Sequence, residues 1–156
     1  MDATDLWKFG HIAAMFAAVS IFVGQGLLEG ADARSGDVRA LRRVLAAEDR
    51  FAPLGGGLYL LGVVLGVITA LVGDFDLTQP WLLIGYVLAA VILINGFAYH
   101  IPTANKLKTL AESSPEDAPS AELSAAIHAP IGPAMNAFDS LVWLALIFVM
   151  VVKPFS

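Results

Sequence analysis

The chain has 156 residues, of which 58% are hydrophobic and only 15% are charged. Soluble domains carry about a quarter charged residues, so this composition excludes an ordinary soluble domain. The formal net charge is −5 and the sequence has no dense cluster of Lys and Arg, which excludes a nucleic-acid-binding protein. Because the chain has no cysteine, disulfides, thiolate metal sites and iron–sulfur clusters are excluded as well.

Four apolar runs reach the ~20 residues that a helix needs to cross a hydrocarbon core about 30 Å thick. They lack the alternation of membrane β-strands, and a helix satisfies its own backbone groups in lipid. We therefore predict an all-α fold, an integral membrane four-helix bundle with short interfacial helices in the cytoplasmic loops. The whole chain, 1–156, forms one transmembrane domain with helices at about 6–28, 53–72, 81–100 and 131–152.

The cations predict how the bundle is oriented in the membrane. Seven of the nine Lys and Arg residues lie in two connecting segments: Arg34, Arg39, Arg42, Arg43, Arg50, Lys106 and Lys108. The opposite side of the membrane carries only Lys8 and Lys153. Since cytoplasmic loops are enriched in Lys and Arg, we predict that both termini lie outside and both long loops lie in the cytoplasm.

Each long loop is expected to contain some helix. Asp37 can cap a segment whose apolar stripe is Val38, Leu41, Val44 and Leu45, a pattern typical of an interfacial helix on anionic headgroups. A second short helix is predicted from Ser120 to Ala129, after a turn rich in Ser and Pro.

The first predicted helix carries polar side chains on one side. His11 and Glu29 are separated by five full helical turns, and Gln25 lies within about 40° of the same face. Met15 follows His11 by one turn. We predict that Gln25 is a buried polar residue and that His11 and Met15 are candidate cofactor ligands, because a polar stripe in a membrane helix faces the bundle interior. The alternative for His11 is a purely structural histidine, and the two interpretations are evenly balanced. The alternative for Glu29 is a carboxylate that lies at the level of the lipid headgroups.

Two more histidines lie near the cytoplasmic surface. His100 ends the third predicted helix, and His128 precedes the fourth at a similar depth. If these helices are neighbours, the two histidines are a plausible pair of axial ligands for a haem, or two ligands of a transition metal. His11 lies near the opposite surface and forms a separate candidate haem or metal ligand.

Three further polar residues are predicted to be buried: Asn95 in the third helix, and Asn136 and Asp139 in the fourth. Asp139 lies about two turns inside the span, where an unpaired carboxylate costs on the order of 2.5 kcal/mol or more. We therefore expect Asp139 to be paired, hydrogen-bonded or protonated, in a functional role or in a contact that locks the fourth helix to a neighbour.

Gly62 and Gly66 form a GxxxG motif in the second helix, and small residues at this spacing let helices pack closely. The motif predicts tight packing within the bundle or a homodimer through these two glycines. The sequence shows no nucleotide-binding, metalloprotease or nucleophile motif, so catalytic residues stay unassigned and it is open whether the chain is an enzyme.

Several short motifs resemble those of known membrane-protein families. The opening helix contains Leu6-Trp7-Lys8-Phe9-Gly10-His11-Ile12, and Arg50-Phe51-Ala52-Pro53-Leu54-Gly55 leads into the glycine-rich second helix. Pro80-Trp81-Leu82 opens the third helix, and Pro102 follows its end. Over roughly residues 6–152 the chain resembles a family of predicted bacterial integral membrane proteins of unknown function. It is similar, more distantly, to the copper-resistance D membrane proteins and to the J-type protoporphyrinogen oxidases.

The resemblance implies a bacterial inner-membrane protein whose first-helix histidine, matching His11, takes part in haem binding, with Met15 or another residue as the second ligand. Our leading hypothesis is a membrane-embedded protein that binds haem b and works in electron transfer or redox sensing, with an unidentified redox partner. The alternative is a non-catalytic membrane subunit or a permease for a small solute or metal.

Overall fold

A computed structural model describes residues 2–155. Every regular element in that range is helical: α1 (Ala3–Ser35), α2 (Val38–Val72), α3 (Pro80–Asn95), a π-turn (Gly96–His100), α4 (Ile101–Ser113), α5 (Ala121–Ile127) and α6 (Ile131–Val152). The runs Ala3–Ser35, Val38–Val72, Pro80–Ser113 and Ala121–Val152 are each long and apolar enough to cross a membrane. The predicted all-α, four-helix membrane fold is therefore confirmed.

The long helices pack as two pairs, α1 with α2 and α3 with α6. One end of the bundle carries α4 and α5, and we call it the helical end. The other, which we call the terminal end, carries the 73–79 turn beside the C-terminus: the Lys153 ammonium lies over the rings of Phe75 and Trp81, 4.6 Å and 5.1 Å from their centroids. Trp81 also donates its indole N–H to Gln79 Oε1 over 2.5 Å.

The segment between the first two spans is almost entirely helical and continuous with both spans, whereas the sequence predicted only a short helix after Asp37. α1 continues beyond the predicted end of its span to Ser35, and α2 already begins at Val38. Gly36 adopts the left-handed conformation, with φ of 75°, that allows so abrupt a reversal, since a residue without Cβ enters this region freely. Asp37 then caps α2 as predicted, because its Oδ1 accepts the Ala40 N–H over 3.0 Å.

A small apolar core lies at the helical end, formed by Val38, Leu41 and Leu45 of α2 together with Leu107, Ala111 and Leu123 of α4 and α5. The stripe that predicted headgroup contact thus faces protein, because α4 and α5 fold back over it. The short helix predicted from Ser120 to Ala129 is confirmed as α5.

Candidate functional site

Asp139 of α6 is the centre of a hydrogen-bonded group near the helical end. Its Oδ1 accepts the side-chain amide of Asn95 over 2.5 Å, and its Oδ2 lies 2.5 Å from His100 Nε2. Asn95 is buried, and the side chain of Asp139 is only 21% exposed. Two of the predicted buried polar residues therefore meet each other and a predicted ligand histidine, and both oxygens of the partly buried carboxylate have a partner.

The π-turn explains how Asn95 and His100 reach the same carboxylate. In a regular α-helix, residues five apart point about 140° away from each other. In the π-turn, the Ile101 N–H bonds back five residues to the Gly96 carbonyl, so five residues complete about one turn. Pro102 favours this wider turn, because it has no N–H to offer the carbonyl four residues earlier and its ring would crowd that carbonyl.

Further polar side chains from α1 and α2 approach the same region. Glu29 of α1 and Glu48 of α2 lie in the parts of these helices nearest the helical end, and both are partly buried. Gln25, one turn from Glu29 on α1, has a buried amide nitrogen with no hydrogen-bond partner within residues 2–155. All four long helices thus bring polar or ionisable groups to the helical end of the bundle.

His11 occupies a separate position in the contact between α1 and α2. Its Nδ1 lies 2.7 Å from the Gly62 carbonyl oxygen, which can only accept, so Nδ1 carries the proton. The ring packs on Gly66, where an added Cβ would come within 2.9 Å of Nδ1 and 3.0 Å of Cε1. Nε2 makes no hydrogen bond within residues 2–155 and keeps its lone pair available.

Met15 lies beside His11 in the same contact, with its sulfur turned towards α2. A Cβ added to Gly62 would come within 2.5 Å of Met15 Sδ. The GxxxG strip of α2 is therefore filled by His11 and Met15 of the same chain, which confirms tight packing within the bundle. The homodimer through Gly62 and Gly66 stays a prediction.

The remaining predicted residues lie apart from these two groups. His128 is exposed just after α5, and its Nδ1 lies 2.8 Å from the carbonyl oxygen of Ser124. Asn136 is exposed on the chain's surface, so its predicted burial within the chain is wrong. Asn136 lies about 60° round the α6 axis from Asp139, on a face that the rest of the chain leaves exposed.

Two residues were missed, Tyr59, which joins three helices, and Glu48. The Tyr59 hydroxyl of α2 donates to the Ala89 carbonyl of α3, and the Tyr59 ring stands edge-on to Trp143 of α6. Glu48 is a partly buried carboxylate of α2. The sequence held a signal for each residue. Tyr59 lies within an apolar run, and Glu48 is a carboxylate about one turn before that run begins.

Comparisons with known proteins found no match. No protein-family model matches the chain, and neither a curated protein nor a solved structure matches it. The fold and the contacts described above therefore carry the functional argument.

Proposed function

We propose that this chain is a protein of the bacterial cytoplasmic membrane, with both termini outside, that binds haem b through His11 and works in electron transfer or redox sensing. The observation that carries the proposal is the hydrogen bond between His11 Nδ1 and the Gly62 carbonyl. A histidine that ligates a metal commonly donates its other ring nitrogen to a backbone carbonyl, which fixes the tautomer and raises the basicity of the ligating nitrogen.

The residues around His11 fit one axial ligand. Nε2 would hold the haem iron, and the Gly62 carbonyl and the Gly66 backbone fix the imidazole that bears it. Met15 fills the space over Gly62, so the proposal assigns no second ligand to Met15 in this arrangement. Haem bound in this way supplies one-electron chemistry, and its potential depends on its axial ligands and surroundings.

His11 is favoured over the two other histidines for physical reasons. Nε2 of His100 is held by Asp139, and Nδ1 of His128 is held by its own helical turn. The His100 side chain is 41% exposed and His128 is exposed, whereas the His11 ring is held between α1 and α2 against the backbone of Gly66. We therefore assign the haem to His11 alone.

The proposed orientation depends on the cation distribution. Seven cations lie in the two segments that form the helical end, and Lys8 and Lys153 lie near the terminal end. Because Lys and Arg are retained on the cytoplasmic side, the helical end faces the cytoplasm.

The test is the visible absorption spectrum of the full chain, purified in detergent after expression with ample haem. We expect a Soret band in the wild-type protein and in the exposed-site control His128→Asn. His11→Asn is the decisive variant, since the Asn amide nitrogen can take the place of Nδ1 at the Gly62 carbonyl while nothing replaces Nε2. A folded His11→Asn protein should lose the band.

Two results would contradict the haem assignment. If folded His11→Asn keeps the full Soret band, the haem is held elsewhere. If the wild-type protein remains colourless with haem in excess, the chain binds no haem, and the alternative of a non-catalytic subunit or a small-solute or metal permease takes its place.

A further inference from the structure

We propose that α6 carries a self-association surface, through which two copies of this chain pair in the membrane. In this pair the Asn136 side chain of one copy is hydrogen-bonded to its equivalent in the other. The surface is separate from Gly62 and Gly66 of α2, and the pairing does not depend on haem at His11.

Asn136 is a polar residue on an exposed face of a membrane-spanning helix. α6 begins at Ile131 and has 22 residues, so at about 1.5 Å per residue it is about 33 Å long. That length slightly exceeds the hydrocarbon core of about 30 Å. When α6 is centred on this core, Asn136 lies about 6 Å inside the apolar layer, where lipid tails offer no hydrogen bond.

The side-chain amide of Asn136 has no partner within its own chain. Ser140 donates its hydroxyl proton to the backbone carbonyl of Asn136 over 2.8 Å, which satisfies Ser140. The amide of Asn136 can donate through its nitrogen and accept through its oxygen, and it makes no hydrogen bond within residues 2–155. Because an unpaired polar group in hydrocarbon is unfavourable, this amide favours a contact that supplies hydrogen bonds.

Asn136 and Ser140 belong to one exposed stripe of α6. Residues three or four apart share a helix face, and six exposed residues of α6 follow this spacing over an arc of about 80°. They are Pro133, Asn136, Ser140, Leu144, Ile147 and Val151. The stripe therefore runs along nearly the whole span and combines a polar pair near the helical end with an apolar remainder.

Within the chain, α6 packs through its other faces. The residues that it buries, Val142, Leu146 and Val149, lie on roughly the opposite side of the helix from the stripe. Trp143, about 60° from the middle of the stripe, packs on Tyr59 of α2. A second copy that occupies the stripe therefore leaves the contacts of α6 with α2 and α3 in place.

The chemistry of the amide favours a second copy of the same chain as the partner. Copies inserted with the same orientation can be related by a two-fold axis along the membrane normal, which places α6 against α6 with equivalent residues at equal depth. Since an amide both donates and accepts, two Asn136 side chains can exchange a pair of hydrogen bonds. Ser140, one turn further, is small and lets the two helices approach closely.

Disulfide trapping tests the geometry of this contact, because the chain has no cysteine of its own. In the full-length Ser140→Cys variant in membranes, equivalent thiols lie close together and should form a covalent dimer on mild oxidation. Leu141→Cys is the matched control, because Leu141 is exposed at a similar depth but about 100° round the helix. We expect about tenfold less dimer from Leu141→Cys. Equal trapping at both positions would indicate random collision and would overturn the proposal.

Energy transfer between labelled copies of the full chain in liposomes tests the amide itself. Asn136→Leu should raise the dissociation constant of the dimer by about tenfold or more, since the hydrogen bonds are lost and an apolar side chain remains. Asn136→Gln keeps the amide and should raise the constant much less. Asn105→Leu, on the exposed surface of α4, is the control and should match the wild-type protein.

Two results of this measurement would contradict the proposal. If the wild-type chain stays monomeric at every ratio of protein to lipid, then lipid headgroups or water satisfy the Asn136 amide. If Asn136→Leu dimerises as strongly as the wild-type chain, then another surface joins the copies, such as the one that contains Gly62 and Gly66.

Discussion

Tyr59 of α2 donates its hydroxyl proton to the Ala89 carbonyl of α3 over 2.7 Å. Its ring stands edge-on to Trp143 of α6, with centroids 5.7 Å apart and planes at 85°. One side chain therefore links α2 to both members of the α3–α6 pair, so its loss is expected to weaken the contact between the two helix pairs.

We expect Tyr59→Phe to lower the free energy of unfolding by about 0.5–1.5 kcal/mol, since it removes one hydrogen bond and keeps the ring. Tyr59→Ala should cost about 3 kcal/mol or more, since it also leaves a cavity beside Trp143. Unfolding in mixed detergent, followed by Trp fluorescence, measures both values. Equal losses in the two variants would show that the hydroxyl, and not the ring, joins the pairs.

The glycines of α2 differ sharply in what a methyl group would meet. At Gly66 it would press on the His11 ring, which a hydrogen bond fixes, whereas at Gly57 it would meet nothing within 4 Å. Gly66→Ala should therefore destabilise the bundle by about 1–3 kcal/mol, and Gly66→Leu by more. Gly57→Ala should be neutral or stabilising by up to about 1 kcal/mol, because Ala favours helix.

Melting temperature and particle size in detergent, compared between the two variants, check the packing at Gly66. A Gly66→Leu protein with unchanged melting temperature and unchanged oligomer size would rule out a structural role for the strip. A smaller particle with an unchanged melting temperature would place the contact between two copies of the chain.

Arg42 connects α2 to the end of α4. Its guanidinium donates to the carbonyl oxygens of Ala111 and Ser114, over 2.9 Å and 2.6 Å, and so caps the C-terminal end of α4. We expect Arg42→Ala to expose the 114–120 segment and to speed its cleavage in limited proteolysis. Arg43→Ala, one position along and exposed, is the control. Equal cleavage rates in these variants would contradict the capping role.

The number of spans and several of their ends could be predicted from sequence because they depend on local apolar length. The predicted span 131–152 has the bounds of α6, and the second span ends at Val72 as predicted. A helix after Asp37 was predicted, but its continuity with the second span and the extension of α1 to Ser35 were not. Their charged side chains resemble a loop in composition, and α4 and α5, distant in sequence, give the apolar stripe of α2 a protein partner.

The candidate site was predictable only in part. A buried Asp139 needs a partner by elementary electrostatics, but the sequence does not name that partner. The pairing with Asn95 and His100 depends on which helix packs on α6 and on the extra residue in the π-turn. Regular helical periodicity would place these two residues on different faces, so a wheel drawn from the sequence separates them.

The orientation can be tested without removing native thiols, because the chain has no cysteine. Single substitutions Ser35→Cys and Ser113→Cys place a thiol at the helical end, and Ala3→Cys places one at the terminal end. An impermeant thiol reagent should label only Ala3→Cys in intact cells, and all three after the cells are opened. Labelling of the first two in intact cells, with Ala3→Cys silent, would reverse the orientation.

The π-turn itself gives the last prediction. Pro102 is the residue whose missing N–H favours the wider turn, so Pro102→Ala permits a regular α-helix through this region. A regular helix would rotate His100 away from Asn95 and hence from Asp139. We expect the hydrogen bond at His100 Nε2 to be lost in Pro102→Ala, which the nitrogen signals of a histidine-labelled sample in nanodiscs would report.

Pro133→Ala is the matched control, because Pro133 lies in the first turn of α6, where a proline removes no helical hydrogen bond. Its His100 signals should match the wild-type signals. If Pro102→Ala also keeps them, then Asp139 and Asn95 stabilise the π-turn by binding His100, and Pro102 only accommodates it. In that case the hydrogen bonds to the Asp139 carboxylate hold the extra residue in the turn. Asp139→Asn, and not Pro102→Ala, should then convert the turn to a regular helix.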